Sequence, residues 1–279
     1  MAVKCWFVFI FVLNVTGAIW GYNVQDAPLL VKRPPWLKAC KKSDENVNKC
    51  INDMFLKMFP SLAVGIPEIN VEHFEPLSLD AVSISKGNGA IVLTGSLYDL
   101  NVAGPSNSTP RDTSFTINDD KHGHWNFKLD IPLLDLKSKY NLKGQILVLP
   151  LLGQGNCDMK MYDIRTRIFT NITFLEKEGR EVMHIDSMKV KFRIGGLKVK
   201  FDNLFNGNKV LGHTVNSFIN QNGLEIVAEL EENLGNSLAL IFMKLINNIF
   251  TKIPIDLWYL SDEQYKQYEE DLQMLKLNS

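Results

Sequence analysis

The chain has 279 residues, of which 46% are hydrophobic and 22% charged, and its formal net charge at pH 7 is −1. This composition is that of a globular protein and excludes a disordered chain, while the balanced charge argues against a nucleic-acid-binding protein. No Pro/Gly/Ser-rich linker and no internal repeat divides the sequence, so we expect a single large domain.

The first 21 residues, MAVKCWFVFIFVLNVTGAIWG, have the layout of a secretory signal peptide. Lys4 precedes an apolar run of about 11 residues, and small residues follow between positions 16 and 21, as in a leader with a cleavage site. An uncleaved signal anchor is disfavoured, because the apolar run is well short of the roughly 20 residues that span a bilayer. We expect cleavage near residues 17–21 and a secreted, extracellular protein.

Secretion changes the interpretation of the cysteines, because disulfides form and persist in oxidising compartments. Cys5 leaves with the signal peptide, and Cys40, Cys50 and Cys157 remain. The stretch CKKSDENVNKC predicts a disulfide between Cys40 and Cys50, whose small ring would contribute roughly 2–3 kcal/mol through loop-closure entropy. Cys157 is then a free thiol, and we favour a buried thiol over a nucleophile because nothing nearby in the sequence suggests a base.

Two glycosylation sequons, NST and NIT, predict glycans on Asn107 and Asn171. Both asparagines stand beside turn-like or alternating sequence, which indicates exposed positions. A third sequon, at Asn14, lies within the predicted signal peptide and is not expected to be used.

Residues 43–58 predict an amphipathic helix, because their apolar residues recur at spacings of three and four. Ser43 or Asp44 is the expected N-terminal cap. Cys50 falls on the apolar face of this helix and Cys40 lies in the extended segment before the cap. A disulfide between them would fasten the incoming chain to the helix, and its role would be structural.

The middle of the chain predicts an antiparallel sheet that is covered on one face only. In WNFKLDI and MKVKFRIGGLKVKFD, apolar residues alternate with polar or basic ones, which is the period of a half-buried strand. Gly195-Gly196 is the expected tight turn between two strands of the second stretch. The stretch QILVLPLLGQG and residues 158–174 predict further strands.

A long helix is predicted from residue 210 to residue 252, the candidate that covers the apolar face of the sheet. Residues 224–251 alone would extend about 42 Å at 1.5 Å per residue, and Asn222-Gly223 and Gly235 are expected bends. Near its end the helix is apolar around most of its circumference, which predicts burial by a sheet that wraps it. The fold class is therefore α+β with an elongated interior, and an interior filled by side chains is the alternative to a hollow one.

Motifs of catalysis are missing from the sequence. It has no G-x-S-x-G elbow, no H-E-x-x-H, no P-loop and no dinucleotide fingerprint. His122-Gly123-His124 offers two imidazoles without a third ligand, and a polar hairpin is favoured over a metal site. Only their adjacency in the sequence suggests that Asp119 and Asp120 act as an acid–base pair, and this is weak support. We therefore predict no enzyme activity, no catalytic residue, no metal and no cofactor.

The basic faces of residues 188–202 leave one alternative open. Their lysines could meet anionic lipid head groups, but a solvated outer face explains them without any partner. We favour the solvated face over membrane contact.

Three stretches together carry a resemblance to a known family. They are KRPPWLKACKKSDENVNKCINDMFLKMFPSLAVGIPEINVEHFEPLSL, LFNGNKVLGHTVNSFINQN and KIPIDLWYL. The sequence resembles the insect takeout/juvenile hormone-binding protein family, with the N-terminal cysteine pair at Cys40 and Cys50 and the G-I-P-E segment at residues 65–68. The likeness covers about residues 30–262, so we expect one domain over residues 22–262 and a tail over residues 263–279.

The resemblance implies a TULIP-like super-roll, in which a strongly curved antiparallel sheet wraps a long helix around an elongated hydrophobic tunnel. It also implies a non-enzymatic carrier of terpenoid hormones, fatty-acyl compounds or odorant-like molecules, with links to feeding, circadian output, courtship and chemosensation. Because Cys157 lacks the partner that the hormone-carrying branch usually has, the takeout-like branch is favoured.

Ten residues are candidates for lining the tunnel, because they lie on the inward faces of the predicted elements; core packing is the alternative for each. They are Trp125, Phe127, Leu129, Val190, Phe192, Ile194, Phe218, Leu230, Leu234 and Ile241. The expected partner is a small hydrophobic ligand, bound by a monomer. A secreted interaction protein with a filled interior, acting through a receptor or other protein, is the second hypothesis, and a lipid esterase is the third.

The tail after residue 262 is predicted to be a short amphipathic helix. Tyr265, Tyr268, Leu272 and Leu275 recur at helical spacing. We favour docking of this helix on its own domain over recruitment of a partner.

Overall fold

The computed structural model describes residues 28–147 and 149–277, and the predicted signal peptide lies outside the described residues. The helices and strands follow in the order β1 (Cys40–Lys41), α1 (Val47–Val64), β2 (Leu77–Lys86), β3 (Ile91–Ala103), β4 (Thr109–Ile117), β5 (His122–Ile146), β6 (Leu149–Lys177), β7 (Arg180–Arg193), β8 (Gly196–Phe201), α2 (Lys209–Gln221), α3 (Gly223–Phe250), β9 (Tyr259–Leu260) and α4 (Asp262–Leu277).

Two very long strands organise the main sheet, in which the strand order is β2-β3-β5-β6-β7, with β4 added to β5 and β8 added to β6. Strand β5 has 25 residues and β6 has 29, whereas strands of globular proteins usually have 3–10. Each long strand therefore serves different partners along its length, and the natural twist of strands coils the sheet strongly.

Helix α3 lies inside the coiled sheet. It packs against β7 at one sheet edge and against β2 at the other, and it also contacts β3 and β8. In the part of the chain that the structure describes, α3 therefore bridges β2 and β7, and these two strands do not pair to close a barrel. The predicted α+β fold, a long helix wrapped by a curved antiparallel sheet, is confirmed.

The buried side chains form two clusters at opposite ends of the roll. The first core joins α1, β4, the start of β5, the end of β6, β7 and the C-terminal end of α3. The second core joins β2, β3, the end of β5, the start of β6, β8, α2 and the N-terminal half of α3. Because α3 contributes to both, it is the element that connects the two ends of the interior.

Asparagine side chains on the helices form hydrogen bonds with backbone groups at the sheet edges, where no neighbouring strand is present. In each pair the side-chain carbonyl accepts from the strand N–H and the side-chain amide donates to the carbonyl of the same residue: Asn247 with Ile185, Asn220 with Val199, and Asn216 with Phe201. The donor–acceptor distances lie between 2.7 and 2.9 Å. We call these contacts the asparagine clamps, since they hold α2 on β8 and α3 on β7.

The opposite edge is attached to α3 by longer side chains. The Lys86 ammonium lies 2.9 Å from the Glu229 carboxylate and also donates to the Glu229 carbonyl at 2.8 Å. The side-chain amide of Asn233 donates to the Ser85 carbonyl at 2.9 Å. Strand β2 is therefore joined to α3 through one ion pair and single hydrogen bonds.

The predicted disulfide between Cys40 and Cys50 is confirmed, with the two Cα atoms 5.7 Å apart. Cys40 belongs to β1, which pairs in parallel with β9, and Cys50 belongs to α1. The bridge therefore joins the first helix to the small sheet formed by both ends of the described chain.

The bounds predicted for the first helix were wrong. Helix α1 begins at Val47 rather than near Ser43, because the Asp44 carboxylate accepts from the Asn46 N–H at 2.8 Å and forms a turn before the helix. The helix also continues through Pro60 to Val64, since its apolar side remains buried beyond residue 58.

The tight turn predicted at Gly195-Gly196 was also wrong. Strands β7 and β8 do not pair with each other; both pair with β6, one after the other along its length. Gly195 instead occupies a bend where a Cβ atom would lie 2.8 Å from the side chain of Asp163 on β6. Gly195 therefore lies where the chain between β7 and β8 comes close to β6.

The bend expected at Asn222-Gly223 is confirmed, because α2 ends at Gln221 and α3 begins at Gly223. At Gly235 helix α3 continues without interruption. A Cβ atom at Gly235 would lie 2.4 Å from the carbonyl of Val190, so glycine allows the helix to approach β7. The burial expected near the end of the helix is only partial, because residues 245–249 are half-buried and Lys244 is exposed, while Phe250 is buried.

The tail forms helix α4, which begins beside the small sheet. Tyr265 and Tyr268 are half-buried, and the Arg33 guanidinium lies 4.2 Å from the centre of the Tyr268 ring. Farther along the helix, Leu272 and Met274 are exposed.

We expect the double change Cys40→Ser/Cys50→Ser to lower the free energy of unfolding by about 2–3 kcal/mol, because the unfolded chain regains the freedom of the small ring. Chemical denaturation followed by circular dichroism measures this loss. Reduction of the wild-type protein is the matched control, since it breaks the same bond without a substitution. Equal stability of the oxidised wild type and the variant would contradict the prediction.

A second prediction concerns the asparagine clamps. Asn216→Asp replaces the amide donor opposite the Phe201 carbonyl by a carboxylate oxygen, and should cost about 1–2 kcal/mol of stability. Asn141→Asp makes the same substitution at an exposed position of β5 and should change stability little. The measurement is the denaturation midpoint of both variants, and equal midpoints would show that the clamp contributes nothing.

Candidate ligand-binding interior

Half-buried apolar side chains run along α3 between its ends. Seven of them pack against the two cores without being fully covered, and we call this row the α3 seam: Leu234, Leu238, Ile241, Phe242, Met243, Ile246 and Ile249. By contrast, Leu230 toward one end of α3 and Phe250 at the other are buried. These seven side chains therefore keep some accessible apolar surface along α3.

The ten predicted lining residues are divided between the two ends of the roll. Trp125, Phe127, Leu129 and Val190 belong to the first core or pack against it. The members on the helices, namely Phe218, Leu230, Leu234 and Ile241, belong to the second core or pack against it. Phe192 and Ile194 are half-buried near the end of β7. Only Leu234 and Ile241 lie in the α3 seam.

The first core is filled by the aromatic side chains of the chain itself. The ring centres of Phe55, Trp125 and Phe127 lie 4.8 to 5.3 Å from one another, and Phe250 lies 5.3 Å from Trp125. The Trp125–Phe127 contact is tilted and the other three are edge-on, which is a favourable packing arrangement of aromatic rings. At this end of the roll, Trp125 and Phe127 therefore contribute to a packed aromatic cluster.

Sequence reasoning missed two aromatic members of this cluster as site residues. Phe250 is the last residue of α3, and Trp258 follows in the KIPIDLWYL segment, 5.9 Å from Phe250 between ring centres. The helical spacing placed Phe250 on the apolar row of the helix. No signal in the sequence predicts the contact between Trp258 and Phe250, because this contact depends on the path of the chain between the two residues.

Polar side chains within the roll are mostly used by the backbone. Thr166 and Thr170 are buried on β6, and their hydroxyls donate to the carbonyls of Leu129 at 3.0 Å and Trp125 at 2.7 Å. The Tyr140 hydroxyl donates to the Asp202 carbonyl at 2.6 Å, and burial raises the pKa of Tyr140 to about 12. These hydroxyl groups serve the fold and leave little free donor capacity.

A buried lysine closes the C-terminal end of α3. Lys252 donates to the Asn248 side-chain carbonyl at 2.7 Å and to the backbone carbonyl of Asn70 at 3.2 Å. Burial lowers the pKa of its ammonium group. Its role is to join the end of the helix to the loop after α1.

Two cavities are open to the outside, and none of the ten predicted residues borders either. One, of about 760 Å³, is a groove between β8 and α2 that includes His213 and Ser217. The other, of about 620 Å³, lies over β3 and β5 and includes Tyr98 and Lys143. Both are surface features and lie apart from the α3 seam.

The remaining predicted sites lie on the surface. Asn107 and Asn171 are exposed, and their glycosylation stays a prediction. His122 is paired with Asp119 in a polar turn, with 3.0 Å between ring nitrogen and carboxylate.

Among the described residues, no three His, Cys, Asp or Glu side chains come together as metal ligands. No described helix is both long and apolar enough to cross a bilayer.

The fold is a long helix wrapped by a curved antiparallel sheet, and comparison with known families shows to which family the chain belongs. The family model of haemolymph juvenile hormone binding protein (JHBP) matches residues 11–260. The chain therefore belongs to this family, and the resemblance stated from its sequence motifs is confirmed.

Individual relatives agree with this assignment. The circadian clock-controlled protein daywake of Drosophila melanogaster is 25% identical over 228 residues, which cover 80% of this chain and 86% of that protein. Daywake of Drosophila yakuba is 24% identical over 234 residues, covering 82% and 89%. The crystal structure of Epiphyas postvittana Takeout 1 superposes with a TM-score of 0.67 at 24% identity, covering 81% of this chain and 99% of that one, which supports the fold.

The buried position of Cys157 leads to a prediction about its reactivity. Burial raises the pKa of this thiol to about 12, and the thiolate is the reactive form. The folded protein should therefore react very slowly with Ellman's reagent near about pH 8. Unfolding without a reductant should expose one reactive thiol per mature chain. Rapid reaction of the folded protein would contradict the buried position.

Proposed function

We propose that this protein is a secreted, non-enzymatic carrier of a small, elongated lipophilic ligand held along the α3 seam. The observation that carries the proposal is the row of half-buried apolar side chains along α3, inside a fold whose two ends are closed by packed cores. Membership of a family described as hormone-binding supports the same function.

Desolvation would supply the affinity. A ligand of roughly 15–20 carbons gains about 0.8 kcal/mol for each buried CH₂ group, less the several kcal/mol that association and ordering cost. Such a ligand needs an apolar surface of matching length, and the α3 seam extends from Leu234 to Ile249, about 22 Å at 1.5 Å per residue. Terpenoid, fatty-acyl and odorant-like molecules have this shape.

Secretion and a rhythmic role belong to the same proposal. The predicted signal peptide and the disulfide between Cys40 and Cys50 support an oxidising, extracellular location. The daywake relatives are named as clock-controlled, which supports a link to circadian, feeding or chemosensory physiology.

A secreted interaction protein with a filled interior is the second candidate. The packed aromatic cluster of Phe55, Trp125 and Phe127 favours it, because that end of the roll is filled by the chain's own side chains. In this case a receptor or another protein would recognise the outer surface. Ligand content of the purified protein separates the two candidates.

Native mass spectrometry of the mature protein from insect-cell medium tests the carrier. We expect an excess of a few hundred daltons over the denatured mass, because a bound lipid of that size would survive gentle ionisation within the roll. No excess, together with no uptake of long-chain apolar probes, would favour the interaction protein.

Phe192→Arg should weaken the binding of such probes at least tenfold. Phe192 lies beside α3, where its backbone N–H donates to Glu231 at 3.1 Å, so the arginine would place a charge near an apolar ligand without a water shell. Phe169→Arg is the matched control, since Phe169 lies on the outer face of β6 and is exposed. It should bind as the wild type does. Fluorescent-probe titration of both variants, with circular dichroism to confirm folding, gives the comparison; unchanged binding by folded Phe192→Arg would remove Phe192 from the site.

A further inference from the structure

Two buried tryptophans carry hydrogen-bond donors that the fold does not use. Trp125 and Trp258 are each 1% exposed. Among the described residues, neither indole Nε1–H has an acceptor within hydrogen-bond distance. A buried donor without a partner costs about 1–3 kcal/mol, and most buried polar groups in proteins are paired. Two such donors in one core therefore require an explanation.

Both indoles pack on the same residue at the end of α3. The ring of Phe250 lies 5.3 Å from Trp125 and 5.9 Å from Trp258 between centres, with interplanar angles of 73° and 70°. Ile246 and Ile249, within one turn before Phe250, are half-buried members of the α3 seam. Both indole rings therefore lie at the C-terminal end of the seam.

The polar group beside Trp125 is already used. The Thr170 hydroxyl accepts from the Trp125 backbone N–H at 3.3 Å and donates to the Trp125 carbonyl at 2.7 Å. This attaches the backbone of Trp125 in β5 to Thr170 in β6 and leaves the indole N–H as the unused polar group of Trp125. The ring itself packs against Phe55, Phe127 and Phe250, and such packing preorganises the indole N–H as a donor.

We propose that Trp125 and Trp258 form a polar anchor for the ligand, in which the indole N–H groups donate to a carbonyl oxygen of an otherwise apolar molecule. An indole only donates, so the group recognised is an acceptor. A neutral ester or ketone suits the site better than a carboxylate, because a buried charge without a cation is costly. The inference rests on the proposed carrier function and names the chemical class of its ligand.

The test uses two probes with the same number of heavy atoms, methyl palmitate and nonadecane, on the mature protein with ¹⁵N-labelled tryptophan. We expect methyl palmitate to shift the assigned indole signals of Trp125 and Trp258 downfield, as hydrogen bonding does, and nonadecane to leave them near their free positions. These signals are read in the wild type, so they decide the matter even where a variant does not fold.

Variants then measure the contribution of each donor to affinity. Trp125→Phe and Trp258→Phe keep an aromatic ring and remove the N–H, so each should weaken methyl palmitate binding about 3–10-fold, the effect of one net hydrogen bond. Nonadecane binding should change much less. Trp36→Phe is the matched control, because Trp36 packs against the first core while partly exposed, and it should leave the affinity for both probes unchanged.

The outcomes separate the anchor from the carrier function. Binding of both probes with unmoved indole signals and unchanged ester affinity in the variants would overturn the anchor and leave the carrier function intact, the indoles then pointing at aromatic rings as N–H···π contacts. Binding of neither probe by the wild type would overturn the carrier function and the anchor with it.

Discussion

The edges of the coiled sheet impose the main constraint on this structure. A sheet that wraps a helix without closing leaves edge strands whose peptide groups need partners, because exposed edges invite aggregation and unpaired buried peptide groups are costly. The asparagine clamps meet this need on β7 and β8. A side-chain amide offers one acceptor and two donors, so Asn247 and Asn216 can pair with an edge residue as a neighbouring strand would.

The asparagine clamps attach α2 to β8 and α3 to β7 through polar side chains. The helices can therefore be held in place even where the apolar interior between helix and sheet is not uniformly packed. On the β7 side the approach is close, since Gly235 allows the helix to reach the Val190 carbonyl. On the β2 side longer groups, Lys86 and Glu229, span the gap. The helix is thus held at both edges at different distances. This asymmetry is consistent with apolar side chains along the middle of α3 that are only half-covered.

Periodicity in the sequence was sufficient for the elements and for their inward faces. The alternation in WNFKLDI placed Trp125 and Phe127 inside, and the spacing along α3 placed Leu230 inside, as the structure has them. Periodicity failed to predict strand pairing, because an alternating pattern does not specify which other strand it pairs with. Two successive alternating runs resemble a hairpin, but β7 and β8 both pair with β6, and only the three-dimensional path decides between these arrangements.

The same limit applies to the glycines and to the candidate site. Gly235 weakens a helix in isolation, and the sequence does not reveal that the Val190 carbonyl occupies the space of its missing side chain. For the lining residues, alternation distinguishes inside from outside but cannot separate a packed interior from a hollow one. The contacts of Phe55 with Trp125 and Phe127 join α1 to β5, and such pairings between distant segments have no signature in a single sequence.

The interior has a half-buried apolar row at its middle and a packed aromatic cluster at one end, and these two parts would contribute differently to affinity and to selectivity. An apolar row such as the α3 seam would bind long hydrophobic molecules without selectivity, because burial of CH₂ groups is non-directional and depends on area. Discrimination requires a polar group at a fixed place, and a packed core holds such a group more rigidly than an open one. The filled end of the roll, where the Phe250 ring packs against Trp125 and Trp258, is therefore compatible with a carrier, since a rigid polar group there would select among molecules that the seam alone cannot distinguish.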